Sequence, residues 1–143
     1  MTEMVRPEDL RRITDEQETR KMQEMLDRTK KAEAQQRELH DAFMHWESVR
    51  PNAMELLTSA VRRAAEQGQN EILVMQFPSD FCVDGGRAIN NFEANWPSSL
   101  QGRAKVALEY YKEHLQPLGY KVHAKVLSYP GGMPGDIGLY LSW

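Results

Sequence analysis

The chain of 143 residues contains a single cysteine and no long apolar run. One cysteine cannot form an intramolecular disulfide, and it excludes a cysteine-rich zinc site. No stretch approaches the roughly 18 consecutive apolar residues of a transmembrane helix, and residues 1–12 lack the apolar segment of a secretory signal. These absences predict a cytoplasmic protein that does not associate with membranes.

An excess of basic residues is also missing. The 21 Asp and Glu residues outnumber the 18 Lys and Arg residues, which gives a net charge of −3. Domains that bind nucleic acid through its phosphates usually carry a clear basic excess. The basic pairs Arg11-Arg12, Lys30-Lys31 and Arg62-Arg63 are separated from one another and lie among acidic residues. Nucleic acid is therefore disfavoured as a partner, and nucleic-acid binding is kept only as the second alternative function.

Signatures of metal binding and catalysis are absent as well. Asp41 and His45 lie four residues apart on one predicted helix face, but the segment is not HExxH and no third ligand is evident. No nucleophile, base and orienting acid can be placed together from the sequence. We therefore expect no metal and no cofactor, and we favour a non-enzymatic protein.

A long segment without helix breakers occupies the N-terminal third of the chain. Thr14 to Gln17 has the form of a capping box, and neither glycine nor proline follows before Pro51. This pattern predicts one helix of about 35 residues, far above the average length of about 11. A heptad repeat fits it, with an apolar column of Met25, Ala32, Leu39 and Trp46 and a half-polar column of Met22, Thr29, Gln36 and Phe43.

The predicted helix supplies a candidate interface, which consists of Met22, Met25, Leu39, Phe43 and Trp46. A projecting helix of several turns is marginal when it is alone in water. Self-association into a homodimer, or docking to another protein, would cover its apolar side chains. The competing interpretation is that the C-terminal end of the helix leans on its own domain and the rest projects freely.

The stretch from Glu71 to Arg87 combines a predicted strand with a candidate ligand-binding loop. The apolar run from Ile72 to Met75, with Phe77, is typical of a buried strand. Ligands of open α/β sheets tend to lie outside the carboxyl ends of strands. We therefore take the loop from Ser79 to Arg87 as a candidate site, with Cys82, Asp84, Gly85, Gly86 and Arg87 as its ligand-binding residues.

Two kinds of chemistry are conceivable in this loop. Paired glycines let backbone amides approach a small anion, and Arg87 adds further donors. A helix N-terminus would lower the pKa of Cys82 and make the thiol more nucleophilic. Against this, cysteine is among the most buried residue types and its neighbours are apolar, which favours an inert thiol. Two glycines after an aspartate are also common in ordinary turns.

The remaining elements follow from apolar periodicity and breakers. A second helix is predicted from Met54 to a stop at Gly68, a short helix is capped by Asp84, and another runs from Leu100 to Gln116. Two alternating segments, Lys121 to Ser128 and Ile137 to Trp143, predict strands, and Trp143 is expected to close the core.

The predicted fold is α+β (mixed α/β). A long N-terminal helix and a second helix precede a small three-stranded mixed sheet in β-α-α-β-β order, with the helices on one face. The long crossover before the second strand permits parallel pairing with the first, and the short connection before the third predicts an antiparallel hairpin. We expect an extended helical segment at 1–50 and a compact domain at 51–143.

The favoured function is therefore protein–protein interaction or oligomerisation through the long N-terminal helix. The first alternative is a small-ligand (anion) binding protein or an enzyme that uses the loop from Ser79 to Arg87. The second alternative is nucleic-acid binding.

Overall fold

The computed structural model describes residues 3–143, which form an α+β fold with a long N-terminal helix, as the sequence predicts. The helices and strands are α1 (Pro7–Met44), α2 (Ala53–Glu66), β1 (Glu71–Pro78), α3 (Arg87–Asn90), α4 (Gly102–Tyr110), β2 (Lys121–Val126) and β3 (Asp136–Ser142). A π-helical turn (Tyr111–Leu115) and a 3-10 turn (Gln116–Leu118) extend α4.

Helix α1 begins earlier and ends earlier than its sequence pattern predicts. It starts at Pro7, whose fixed φ suits the first helical position, and two acidic residues follow in the first turn. Thr14 lies inside the helix, where its hydroxyl donates a hydrogen bond to the carbonyl oxygen of Leu10 at 3.0 Å. The capping-box pattern at Thr14 therefore does not mark a helix start, and the helix stops at Met44 rather than at Arg50.

The chain divides into two compact units, and the second begins at Ala42. This division lies before the boundary at residue 50 that the sequence suggests. Phe43 explains the difference, because its ring centroid lies 5.3 Å from that of Phe77 and 4.8 Å from that of Phe81. The last residues of α1 therefore pack as part of the second unit.

The sheet has the order β1-β3-β2, and both pairings are antiparallel. The prediction of a mixed sheet with β1 and β2 as parallel neighbours is therefore wrong in this detail. The two strands do run in the same direction, but β3 lies between them. The β2–β3 hairpin is the expected local pairing, and the strand with the most buried side chains occupies the centre of the sheet.

A bulge in β1 brings its apolar residues to one face. Leu73 pairs with Tyr140 and Met75 with Leu139, so Val74 has no partner in the ladder. Ile72 and Phe77 lie an odd number of residues apart and would face opposite sides of a regular strand. The bulge shifts the alternation, and both side chains pack with the core.

Apolar side chains on one face of the sheet form the core with the helices. Three rows cross the strands on this face: Ile72, Leu141 and Val122; Met75, Leu139 and Ala124; and Phe77, Ile137 and Val126. The helical segments contribute Ile89, Ala104, Leu108, Tyr111 and Leu115, and Leu100 joins them from the connection before α4. The predicted inward set of β3 is thus confirmed for Ile137, Leu139 and Leu141, which are at most 2% exposed.

Trp143 does not close the core. It lies beyond the end of β3 at Ser142 and is 40% exposed. Its backbone amide donates to the carbonyl oxygen of Asn70 at 3.2 Å, so the main chain is held beside the start of β1. Alternation along β3 predicts the facing of a residue only where the ladder continues, and the ladder ends one residue earlier.

Candidate functional site

Cys82, the candidate nucleophile of the loop after β1, is buried in the structure. Its side chain is 4% exposed and belongs to the apolar core. Burial raises the pKa of Cys82 to about 11, and the negative charge of Asp84 adds to the shift. The thiolate is therefore the minor form at neutral pH, which opposes nucleophilic chemistry.

The carboxylate of Asp84 occupies the amides that an external anion would need. One oxygen accepts from the amide of Gly86 at 3.0 Å, and the other accepts from the amide of Ala88 at 2.9 Å. The Asp84 carboxylate therefore binds an amide in the first turn of α3, but Gly86, and not Asp84 as the sequence pattern predicts, occupies the N-cap position. Arg87 is exposed at the first position of α3.

Backbone conformation favours glycine at both Gly85 and Gly86, and close packing also favours it at Gly86. Gly85 and Gly86 have φ values of 69° and 84°, a region that favours glycine. A Cβ on Gly86 would lie 3.1 Å from the Cβ of Ser79 and 3.3 Å from the Cδ1 of Ile137. The loop geometry thus follows from the turn itself, and anion binding there stays a prediction.

The burial of Cys82 makes a testable prediction about alkylation. At pH 8 we expect iodoacetamide to modify the native protein at least about a hundredfold more slowly than the unfolded protein. A rise of the pKa from about 8.5 to about 11 lowers the thiolate fraction by this factor, and burial hinders access further. Mass spectrometry of timed samples measures both rates. Equal rates in buffer and in guanidinium chloride would show that the native thiol is accessible and reactive.

The five predicted interface residues fall into two groups in the structure. Met22, Met25 and Leu39 are 66%, 68% and 67% exposed on α1, a helix without a buried residue. Phe43 instead joins the aromatic contacts of the second unit. Trp46 lies in the segment between α1 and α2, and only the first three residues remain in the exposed row.

The second unit contains an apolar cavity of about 220 Å³ that is partly open to solvent. Its lining comes from all three strands, from α2 and α4, and from the segment between α1 and α2, and it includes Leu56, Leu57, Val74, Met75, Val106 and Tyr110. The π-helical turn after α4 adds Tyr111 and Leu115. Apolar cavities with a few convergent polar groups are typical of small-molecule sites.

Of the residues that the structure describes, two arginines are the only charged ones that line this cavity. The guanidinium of Arg103 lies over the ring of Trp46, with its Cζ 4.8 Å from the ring centroid. Arg50 lies between α1 and α2 and is exposed, as is Arg103. Within residues 3–143 neither arginine forms an ion pair. The cavity therefore combines an apolar interior with two positive charges that no carboxylate neutralises.

The polar groups of the two lining tyrosines differ in their partners. The hydroxyl of Tyr111 donates to the carbonyl oxygen of Tyr120 at 2.7 Å, so it serves the fold. The ring of Tyr110 packs against that of His114, with centroids 4.6 Å apart. The two guanidiniums are charged groups of this lining, and each can bind an anionic group of a ligand.

Sequence reasoning did not identify this cavity. Arg50 directly precedes Pro51, which ends the predicted long helix, and Arg103 lies within the predicted helix from Leu100 to Gln116. The lining residues come from segments that are far apart in the chain, and no local motif connects them.

The uncovered face of the sheet carries a polar cluster that connects its two edge strands. The Glu71 carboxylate lies 3.2 Å from the Lys125 Nζ and 3.0 Å from the His123 Nε2. The Tyr140 ring stacks on His123, with centroids 5.3 Å apart, and the Lys125 Nζ lies 4.6 Å from its centroid. The hydrogen bond from Lys125, and then the nearby positive charges, lower the pKa of Glu71. This cluster has a sufficient role in joining β1 and β2 across β3.

Comparison with known protein families, curated proteins and solved structures gives no match, so geometry alone supports any functional assignment. In the described range, residues 3–143, no group of three or more His, Cys, Asp or Glu side chains is arranged to hold a metal ion. Across the same residues, no helix has both the length and the apolar character needed to cross a membrane.

Proposed function

We propose that this protein is a non-enzymatic interaction module that forms a homodimer through α1. The observation that carries the proposal is a 38-residue helix without a buried residue, on which Met22, Met25 and Leu39 are each about two-thirds exposed. Helices in proteins gain most of their stability from packing an apolar face. A second copy of α1 supplies such packing, and a cytoplasmic location is part of the same proposal.

The heptad positions limit the contact to the middle of α1. Met22, Thr29 and Gln36 take one core column, and Met25, Ala32 and Leu39 take the other. The preceding core positions are Asp15 and Glu18, whose charges oppose burial. The contact therefore begins near Met22 and continues to Leu39, about two and a half heptads.

Charge favours a parallel pair in register. Arg28 and Glu33 occupy the flanking g and e positions of the heptad, which lie opposite each other between the two helices of a parallel dimer. The polar layers at Thr29 and Gln36 lower stability, and they also restrict register, because pairing a polar with an apolar layer is unfavourable. The expected product is a dimer of modest affinity.

Sedimentation velocity on full-length variants tests this proposal. The wild-type chain is expected to sediment as a dimer at tens of micromolar, and Met25→Glu with Leu39→Glu is expected to be monomeric, because the contact would then bury like charges. The control Gln23→Glu with Ala34→Glu adds the same charge outside the two columns and should leave the dimer intact. A monomeric wild-type chain at 100 μM, or equal masses for the two double variants, would overturn the proposal.

A further inference from the structure

The volume of the apolar cavity limits the size of the apolar part of a ligand that could bind in it. Its volume of about 220 Å³ exceeds that of an engineered apolar cavity of about 150 Å³ that binds benzene. It is smaller than the roughly 300–1,000 Å³ of typical sites for drug-sized ligands. One substituted aromatic ring or a medium-length acyl chain matches this space.

The positive charge at the cavity favours a ligand whose polar end is negatively charged. Arg50 and Arg103 are the only charged lining residues within 3–143. Both are exposed, whereas Leu108, Leu139 and Leu141 in the same lining are buried. A guanidinium binds a carboxylate through two parallel hydrogen bonds and keeps its charge at any physiological pH. An anionic group would therefore sit beside the arginines while an apolar body enters the cavity.

We propose that this cavity binds a small amphipathic monocarboxylate, with its apolar body between α2, β1 and α4 and its carboxylate paired with Arg50 and Arg103. All lining residues belong to the second unit, so the site does not depend on the dimer proposed for α1. The site also differs from the loop between Ser79 and Arg87, since no residue of that loop lines the cavity.

Calorimetric titration of the full-length protein with three probes of matched chain length tests the chemistry. Octanoate is expected to bind about tenfold or more tightly than 1-octanol, because a charge-assisted hydrogen bond contributes more than a neutral one. Octylammonium is expected to bind more weakly than 1-octanol, because its charge repels both guanidiniums. Octanol binding as tightly as octanoate, or no heat with octanoate up to millimolar concentration, would overturn the proposal.

Variants test whether the ligand binds in this cavity, and they distinguish the contribution of the two arginines from that of the apolar interior. Arg50→Gln and Arg103→Gln should each weaken octanoate binding about tenfold and leave octanol binding unchanged. Arg62→Gln, which changes an exposed arginine of α2 outside the cavity lining, should change neither. Ala107→Phe fills the cavity and should abolish binding of both probes, with circular dichroism checking its fold. Octanoate affinity that stays at the wild-type value in both cavity arginine variants would contradict the proposal, whatever the folding of Ala107→Phe.

Discussion

Deletion of Leu141 to Trp143 is expected to unfold residues 42–143 at room temperature. Leu141 is 2% exposed in the central strand, where it pairs with Ile72 on one side and Val122 on the other. Truncation of a buried leucine alone costs about 2–5 kcal/mol. The deletion also removes the ladder at one end of both strand pairs, and the total stability of a domain is only about 5–15 kcal/mol.

Single substitutions measure how much of this loss of stability comes from the side chain of Leu141 and how much from that of Trp143. Leu141→Ala should lower the free energy of unfolding by about 2–5 kcal/mol, and Trp143→Ala by about 1 kcal/mol, since Trp143 is 40% exposed beyond the end of β3. Urea denaturation followed by circular dichroism measures all three variants. A truncated chain with the wild-type urea midpoint would show that the end of β3 contributes nothing to the fold.

The sequence predicts the elements of this protein better than their arrangement. The alternation from Ile137 to Leu141 and the uninterrupted helical segment before Pro51 are local patterns, and both elements form. Strand order depends on which strand edges pair in the folded chain. The long crossover between β1 and β2 allows these two strands to be neighbours, or to lie on either side of β3. The bulge at Val74 is also hidden, because the continuous apolar run from Ile72 to Met75 shows no alternation that a bulge could interrupt.

The parts of the candidate sites that depend on local sequence can likewise be predicted better than those that depend on the arrangement of the elements. A bond between the Asp84 carboxylate and the start of α3 can be expected from the sequence, because Asp84 lies only four residues before the Ala88 amide that it binds, although Gly86 occupies the N-cap position. Arg50 and Arg103 carry no signal in the sequence, because their significance depends on an empty volume between elements that contact each other only in the folded chain. The burial of Cys82 could be expected from its apolar neighbours, but its pKa depends on the packing of the whole loop.

The second large effect is expected for Gly102→Ala, at the first position of α4. Gly102 has a φ of 54°, and a Cβ there would meet the carbonyl oxygen of Phe43 and lie 2.7 Å from the Cα of Met44. These are backbone atoms, so they cannot rotate away as a flexible side chain would. The start of α4 would have to move from the end of α1 and loosen the contacts of Phe43 with Phe77.

Comparison with Gly85→Ala separates the two ways in which Gly102→Ala lowers stability, which are the strained backbone conformation and the steric overlap of the new Cβ. Gly85 has a φ of 69°, but a Cβ there would meet nothing within 4 Å, so its variant should lose only the roughly 1–2 kcal/mol of the left-handed conformation. Gly102→Ala should lose about 3–4 kcal/mol, because overpacking against fixed atoms adds about 1–3 kcal/mol. Urea denaturation of both variants measures the difference. Equal losses would mean that α4 and the end of α1 separate without cost, and that the close approach at Gly102 does not stabilise the second unit.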